Sequence, residues 1–333
     1  MAVLLMLLLD LVILHERGVS GDEPFYMAMA RHPGRPHNFP YAYRVAIPWL
    51  VHVLPFPQVV GFTILGVLAV AISAAALFLL LDAFDVPHGL SLGLCVGFTL
   101  SPVLWVVVVR HFRNVDPASV MVMILGALFI VRRRRIALGL TLLFGIGVHE
   151  STLFLIPLTY AVWATRLADP SAAADTARVG LLPAVVYLIL RARVPAVDAQ
   201  DIQGYAGSFL QARWSLLSHV PLGVELKRLA YTYGPVWPAA VAGLRSSAFA
   251  RRGLVLVGLC LAAMTYATDW NRVMFFAAPV LYVAAGVALR RRPRLAMLLV
   301  VALLATDLGY GIYLQTGGVV HGIDHSISHV PVV

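Results

Sequence analysis

Long apolar runs alternate with short charged turns along the whole chain, and this alternation constrains the fold more than any other feature. A helix needs about 20 apolar residues to cross the hydrocarbon core of a bilayer. Inside that core only helices and closed barrels satisfy their own backbone polar groups. About eleven runs meet or approach the required length: 1–14, 57–81, 88–109, 116–131, 136–149, 151–165, 179–192, 228–244, 253–268, 273–289 and 295–314. The expectation is an all-α, polytopic integral membrane protein. A single transmembrane domain spans 1–333, with a helical core over 1–314 and an outer tail over 315–333. Composition argues against a soluble alternative. With 60% hydrophobic and 12% charged residues, and a mean hydropathy of +0.86, charges are too few to cover a soluble protein of 333 residues.

The net charge of +9 is carried almost wholly by arginine, with Lys227 the sole lysine. The arginines lie in short clusters between apolar runs, so membrane lipid is the expected partner and nucleic acid is not. The strongest clusters are Arg132 to Arg135, Arg251 with Arg252, and Arg290, Arg291, Arg292 and Arg294. Eleven alternating spans put all of them on one side, together with Arg166, Arg178 and Arg245. By the positive-inside rule that side is cytoplasmic, as is the N-terminus. If 136–165 were one span, the later clusters would fall on the opposite side from Arg132–Arg135. Two spans broken at His149-Glu150 are therefore expected. The first run lacks the basic region and small-residue cleavage site of a secretory leader. It is short, which leaves room for further residues upstream. Cys95 and Cys260 fall inside apolar runs and read as small buried hydrophobes. The near-absence of lysine fits a G+C-rich bacterial genome, hence a bacterial plasma membrane.

In this topology the outer segments are 15–56, 110–115, 149–150, 193–227, 269–272 and the tail. Segment 15–56 contains two helix-like stretches, Glu23–Ala30 and Arg44–Val53. Segment 193–227, with Trp214, Leu216, Leu217 and Val220, reads as a helix lying in the interface. These outer turns are rich in charge: Asp22 and Glu23; Arg44; Arg110, His111, Arg113 and Asp116; His149 and Glu150; Lys227 and Arg228; Asp269 and Arg272. Taken singly, each has a plain reading as a solvated loop pair, an arginine reaching for headgroups, or a local helix start. Arginine is nevertheless disfavoured in short outer turns, so Arg110, Arg113 and Arg272 require compensation by partner carboxylates or by an anionic ligand. His149-Glu150 has no loop around it, and a carboxylate there costs a few kcal/mol unless paired. A surface cavity with convergent acids and bases is the default site. Asp10 and Asp307, within spans, are candidates for intramembrane pairing. His321, His325 and His329 share a spacing that could hold a metal, but Gly322 and Pro331 weaken the helix this would need.

The run Asp22-Glu23-Pro24-Phe25-Tyr26, an acidic pair after the first span followed by aromatics, resembles the GT-C superfamily of membrane glycosyltransferases. PYAYRVAIPWL and TDWNRVMFFAAPVLY are similar to segments in the same broad group. The resemblance implies a polyprenyl-phosphate sugar as co-substrate and transfer to an acceptor on the outer face. It assigns the role of base to Asp22, with Glu23 second. The chemistry of the other residues fits. Inverting transfer needs a carboxylate to take the acceptor proton, and positive charge where the leaving phosphate develops. Arg44, Arg110, Arg113, His149 and Arg272 suit the phosphate, with His111 and Lys227 as further binding residues. Glu150, Asp116 and Asp269 would hold these bases or bind sugar hydroxyls. Tyr41, Tyr43 and Trp270 could stack on sugar or polyprenyl chain. No metal or other cofactor is required. The rival reading is a transporter or flippase for an anionic or lipid-linked substrate, using the same arginines.

Overall fold

The computed structural model describes residues 22–104, 113–197, 207, 211, 222–265 and 270–315. Among the described residues the secondary structure is helical, apart from a parallel pairing of His37–Asn38 (β1) with Ala196–Val197 (β2). The helices in chain order are α1 (Glu23–Arg31), α2 (Ala46–Val53), α3 (Gln58–Asp82), α4 (His88–Leu100), α5 (Asp116–Val131), α6 (Arg135–Val148), α7 (Leu155–Trp163), α8 (Pro170–Arg193), α9 (Leu222–Tyr233), α10 (Val236–Gly243), α11 (Ala248–Ala263), α12 (Trp270–Phe275), α13 (Ala278–Leu289) and α14 (Pro293–Gln315). Three of them, α3, α8 and α14, are long and apolar enough to cross a membrane by length and composition. Their outward faces are apolar too: Leu68 and Ile72, Leu181 and Leu188, and Met297 and Val301 are all exposed. A surface this apolar is suited to lipid rather than water.

The two short helix-like stretches expected within 15–56 form, as α1 and α2. Two of the apolar runs are broken. Run 228–244 divides into α9 and α10 at Gly234, whose φ of +47° favours glycine, and the following Pro235 cannot donate to a continuing helix. Run 273–289 divides into α12 and α13 just before Pro279. Helix α8 begins earlier than run 179–192, at Pro170. Asp169 caps it, with Oδ1 accepting from the backbone N–H of Ser171 (3.1 Å) and Ala172 (3.2 Å).

The stretch 136–165 is two helices. α6 stops at Val148, His149 is extended (φ −161°, ψ 138°), and Glu150–Phe154 forms a 3₁₀ turn before α7. Thr152 lies against Gly145 and Leu155 against Gly126, while Trp163 Nε1 donates to the Ile130 carbonyl at 2.9 Å. α7 therefore runs back beside α5, and the chain reverses at His149-Glu150.

The helix ends sort into two charged groups separated by apolar packing. At one end Arg132 donates to the Leu79 carbonyl, Arg135 pairs with Asp175, Arg252 donates to the Val162 carbonyl and Arg290 to that of Phe84. At the other lie Asp22, Arg44, Asp116, His149, Glu150 and Arg272. α13 is the central helix, buried at every position from Ala278 to Val287. Gly243 of α10 crosses it so closely that a Cβ would come within 1.9 Å of the Ala284 carbonyl oxygen. Cys95 and Cys260 are buried free thiols.

Candidate functional site

Two aspartates at helix N-termini define the site. An acidic side chain there ordinarily accepts from the first free N–H groups of its helix. Asp169 does so; Asp22, at the N-cap of α1, makes no such cap. Its Oδ1 accepts from the Tyr41 hydroxyl at 2.7 Å and its Oδ2 from Arg272 Nη1 at 3.1 Å. The same Nη1 donates to Oδ2 of Asp116, the first residue of α5, at 2.7 Å. α5 is preceded by Asn114, whose Oδ1 accepts from the Asp116 backbone N–H at 2.9 Å. One guanidinium thus bridges aspartates that open two different helices. Burial pushes the Asp22 carboxyl up, but Arg272, the Tyr41 hydroxyl and Arg44 outweigh it and hold the group below the usual carboxylate value.

The second half is built on the reversal at His149-Glu150. Arg44 Nε and Nη2 donate to the two Glu150 oxygens at 3.1 and 2.7 Å, and its Nη1 donates to the buried Tyr26 hydroxyl at 2.8 Å. Burial raises Glu150, but Arg44 and His149 bring it well below its ordinary value. The backbone N–H of Ser151 donates to His149 Nδ1 at 3.1 Å. A backbone amide can only donate, so Nδ1 carries no proton and the neutral ring holds its proton on Nε2. Burial and the Arg44 charge push His149 down to about 4, so the ring is neutral at physiological pH. His149 therefore offers a donor rather than a charge or a base at Nε2. Phe25 stacks on Tyr41 (4.5 Å), and Tyr26 meets the same ring edge-on.

The expected residues distribute as follows. Arg113 Nε lies 3.3 Å from Glu23 Oε2, and Glu23 is almost wholly buried while Asp22 keeps some exposure. Three of the expected site arginines are thus each met by a carboxylate: Arg44 by Glu150, Arg113 by Glu23, Arg272 by Asp22 and Asp116. Tyr43 faces Arg191, and half-buried Trp270 packs on the helical core. Lys227 is exposed and lines a separate 290 Å³ cavity with Tyr231, Thr306 and Tyr310. Arg110, His111, Asp269, Asp10, the first span, most of 193–227 including Trp214, and the histidines of the tail lie outside the described residues. No metal-binding group is found among the described residues. Asp307 of α14 is buried beside Gly97, and its Oδ2 has no hydrogen-bond partner among the described residues.

Sequence reasoning missed Arg191. Its guanidinium sits 4.4 Å from the Tyr43 ring, 5.4 Å from Phe39 and 5.4 Å from Tyr187, and its Nε donates to the Tyr187 hydroxyl at 3.0 Å. With the β1–β2 pairing this fastens the loop carrying Tyr41 and Arg44 to the end of α8. Its only sequence signal is an arginine in the last turn of an apolar run.

The fold and the site define an all-α protein with membrane-length apolar helices and a charged cluster gathered at one end of the bundle. The sequence matches no protein-family model and no curated protein.

Proposed function

We propose that this protein is a membrane glycosyltransferase of the GT-C kind, moving a sugar from a polyprenyl-phosphate donor to an acceptor with inversion. The observation that carries the reading is one arginine shared by two aspartates at helix starts: Asp22, an N-cap residue that makes no cap, and Asp116, the first residue of α5. Local rules are broken in this way at functional sites, where another requirement outweighs the cap. The Asp22 side chain keeps some exposure and is ionised at neutral pH. As the acceptor oxygen bonds to the anomeric carbon, its proton passes to Asp22, and the bond from carbon to phosphate oxygen breaks with its electrons leaving on the phosphate. A phosphate leaves readily, so a weak base suffices. Arg44, Arg272 and the His149 Nε2–H are the donors for the developing negative charge. Glu23, buried against Arg113, fixes the first turn of α1 behind Asp22. Further elements of the reading are about eleven spans, a bacterial plasma membrane, the arginine-rich end in the cytoplasm and the site outside.

The second reading, a transporter or flippase for an anionic or lipid-linked substrate, draws on Asp307, a lone carboxyl buried within an apolar helix. The test is transfer of labelled sugar from a panel of polyprenyl-phosphate donors by purified protein in lipid, wild type beside Asp22→Asn. Turnover lost in the variant with donor binding retained supports the transferase. No turnover with any donor, together with anion-dependent uptake into proteoliposomes, supports the transporter.

A further inference from the structure

The segment 41–46 has two sides. Tyr41 and Arg44 reach into the charged cluster, whereas Ala42, Val45 and Ala46 line a cavity of about 410 Å³ on the other side. Its volume falls within the roughly 300–1,000 Å³ of small-molecule pockets. Its wall is apolar, completed by Trp49 of α2 and by Val194 beyond the end of α8. Trp49 and Val53 on α2 are both more than half exposed. An exposed tryptophan on a short apolar helix marks the level of the membrane interface.

Two arginines stand on the rim, Arg35 in the first outer loop and Arg193 in the last turn of α8. Both are exposed, and neither forms an ion pair among the described residues. This sets them apart from Arg44, Arg113, Arg135 and Arg272, each matched to a carboxylate. Among the described residues no carboxylate lines the cavity, and the Nε2 of rim residue His37 donates to the His32 carbonyl at 2.9 Å. Two uncompensated guanidiniums over an apolar hollow at the interface complement one chemistry, a phosphate monoanion joined to a hydrocarbon chain.

We propose that this cavity is a binding site for an anionic phospholipid of the bilayer, with its phosphodiester at Arg35 and Arg193 and a chain segment against Trp49 and Val45. The occupant is a bilayer component, and the site does not depend on the transferase reading. Because the cavity shares the segment 41–46 with the cluster, an occupied site braces the backbone that carries Tyr41 and Arg44.

The experiment is native mass spectrometry of the full chain released from nanodiscs of mixed phosphatidylglycerol and phosphatidylcholine, with brominated phosphatidylglycerol as a second probe. The wild type is expected to retain one phosphatidylglycerol in preference to phosphatidylcholine. Arg35→Gln and Arg193→Gln are each expected to reduce that preference about fivefold, and the double variant roughly 25-fold. Brominated phosphatidylglycerol should quench a fluorescence component that Trp49→Phe removes. Equal retention of the two lipids, or an unchanged preference in the double variant, would overturn the proposal. Both readouts are independent of sugar transfer, so failure of one reading leaves the other standing.

Discussion

Arg44 and Glu150 stand 106 positions apart in sequence and meet through two parallel hydrogen bonds of 3.1 and 2.7 Å. The pair ties the segment between α1 and α2 to the reversal between α6 and α7. It is unevenly buried: the Arg44 side chain is 11% exposed and that of Glu150 39%. Water at Glu150 weakens the attraction, so Glu150→Gln is expected to cost only about 1 kcal/mol. Asp116, 8% exposed against Arg272, is the contrasting case. Asp116→Asn is expected to cost about 1–3 kcal/mol, because it removes a charge-assisted bond from a desolvated group. Thermal unfolding of both variants in one detergent checks the order. A larger drop for Glu150→Gln would show that exposure does not set the strength of these pairs.

His149 makes stability depend on pH in a defined window. Its ordinary value of 6.5 falls to about 4 in the fold, chiefly through burial and then through Arg44. As pH falls below 6.5 the unfolded chain binds the proton first, so stability drops until the folded ring also titrates near 4. The full loss is on the order of 3 kcal/mol. Asp22 and Glu150 are also held low, so their stabilisation is present above the ordinary carboxylate values and is lost only as pH falls below them. His149→Gln, whose amide can still accept and donate, is expected to flatten the melting temperature between pH 6.5 and 4 and leave the steeper acid limb. An unchanged slope in that window would refute the neutral, buried histidine.

The sequence makes the apolar runs legible because hydropathy reports transfer to lipid directly, and α3, α5, α6 and α14 lie close to their expected bounds. It does not reveal interruptions that depend on one backbone angle, such as Gly234, nor a polar helix start such as Ser171 to Thr176, which hydropathy discounts. For the site, the list of charges in the turns between apolar runs is legible because such residues stand out against their apolar flanks. The partner assignments are not, because Asp22 and Arg272 lie 250 positions apart and Asp116 and Arg272 156. Arg191 escapes for the same reason: two of its three aromatic neighbours, Phe39 and Tyr43, lie far upstream beside β1. The compensation left open between carboxylates and an anionic ligand falls to carboxylates for Arg113 and Arg272.

The crossing of α10 and α13 yields a prediction with an internal control. A Cβ on Gly243 would sit 1.9 Å from the Ala284 carbonyl oxygen, a backbone atom that cannot rotate aside. Gly243→Ala must separate two core helices and is expected to cost about 1–3 kcal/mol. A Cβ added to Gly258 on α11 would meet nothing within 4 Å, so Gly258→Ala is expected to be neutral or mildly stabilising, by up to about 1 kcal/mol. Melting temperatures of the two variants test this. Equal effects would mean that helix propensity, not the close crossing, governs Gly243.

Arg272 gives the sharpest test of Asp22 as the base. Against the upward push of burial, it is the largest influence lowering the Asp22 carboxyl, and it also bridges to Asp116. In Arg272→Gln, burial is no longer opposed by that guanidinium, so the Asp22 carboxyl rises. If Asp22 must be ionised to take the acceptor proton, the acid limb of the pH–rate profile moves to higher pH. Arg272→Lys keeps the charge but not the planar fork, and should move the limb less. The measurement is the sugar-transfer rate against pH for wild type and both variants, with size-exclusion profiles confirming folded protein. A folded, active Gln variant whose acid limb does not move would remove Asp22 from the role of titrating base, because its largest lowering partner would have gone without consequence.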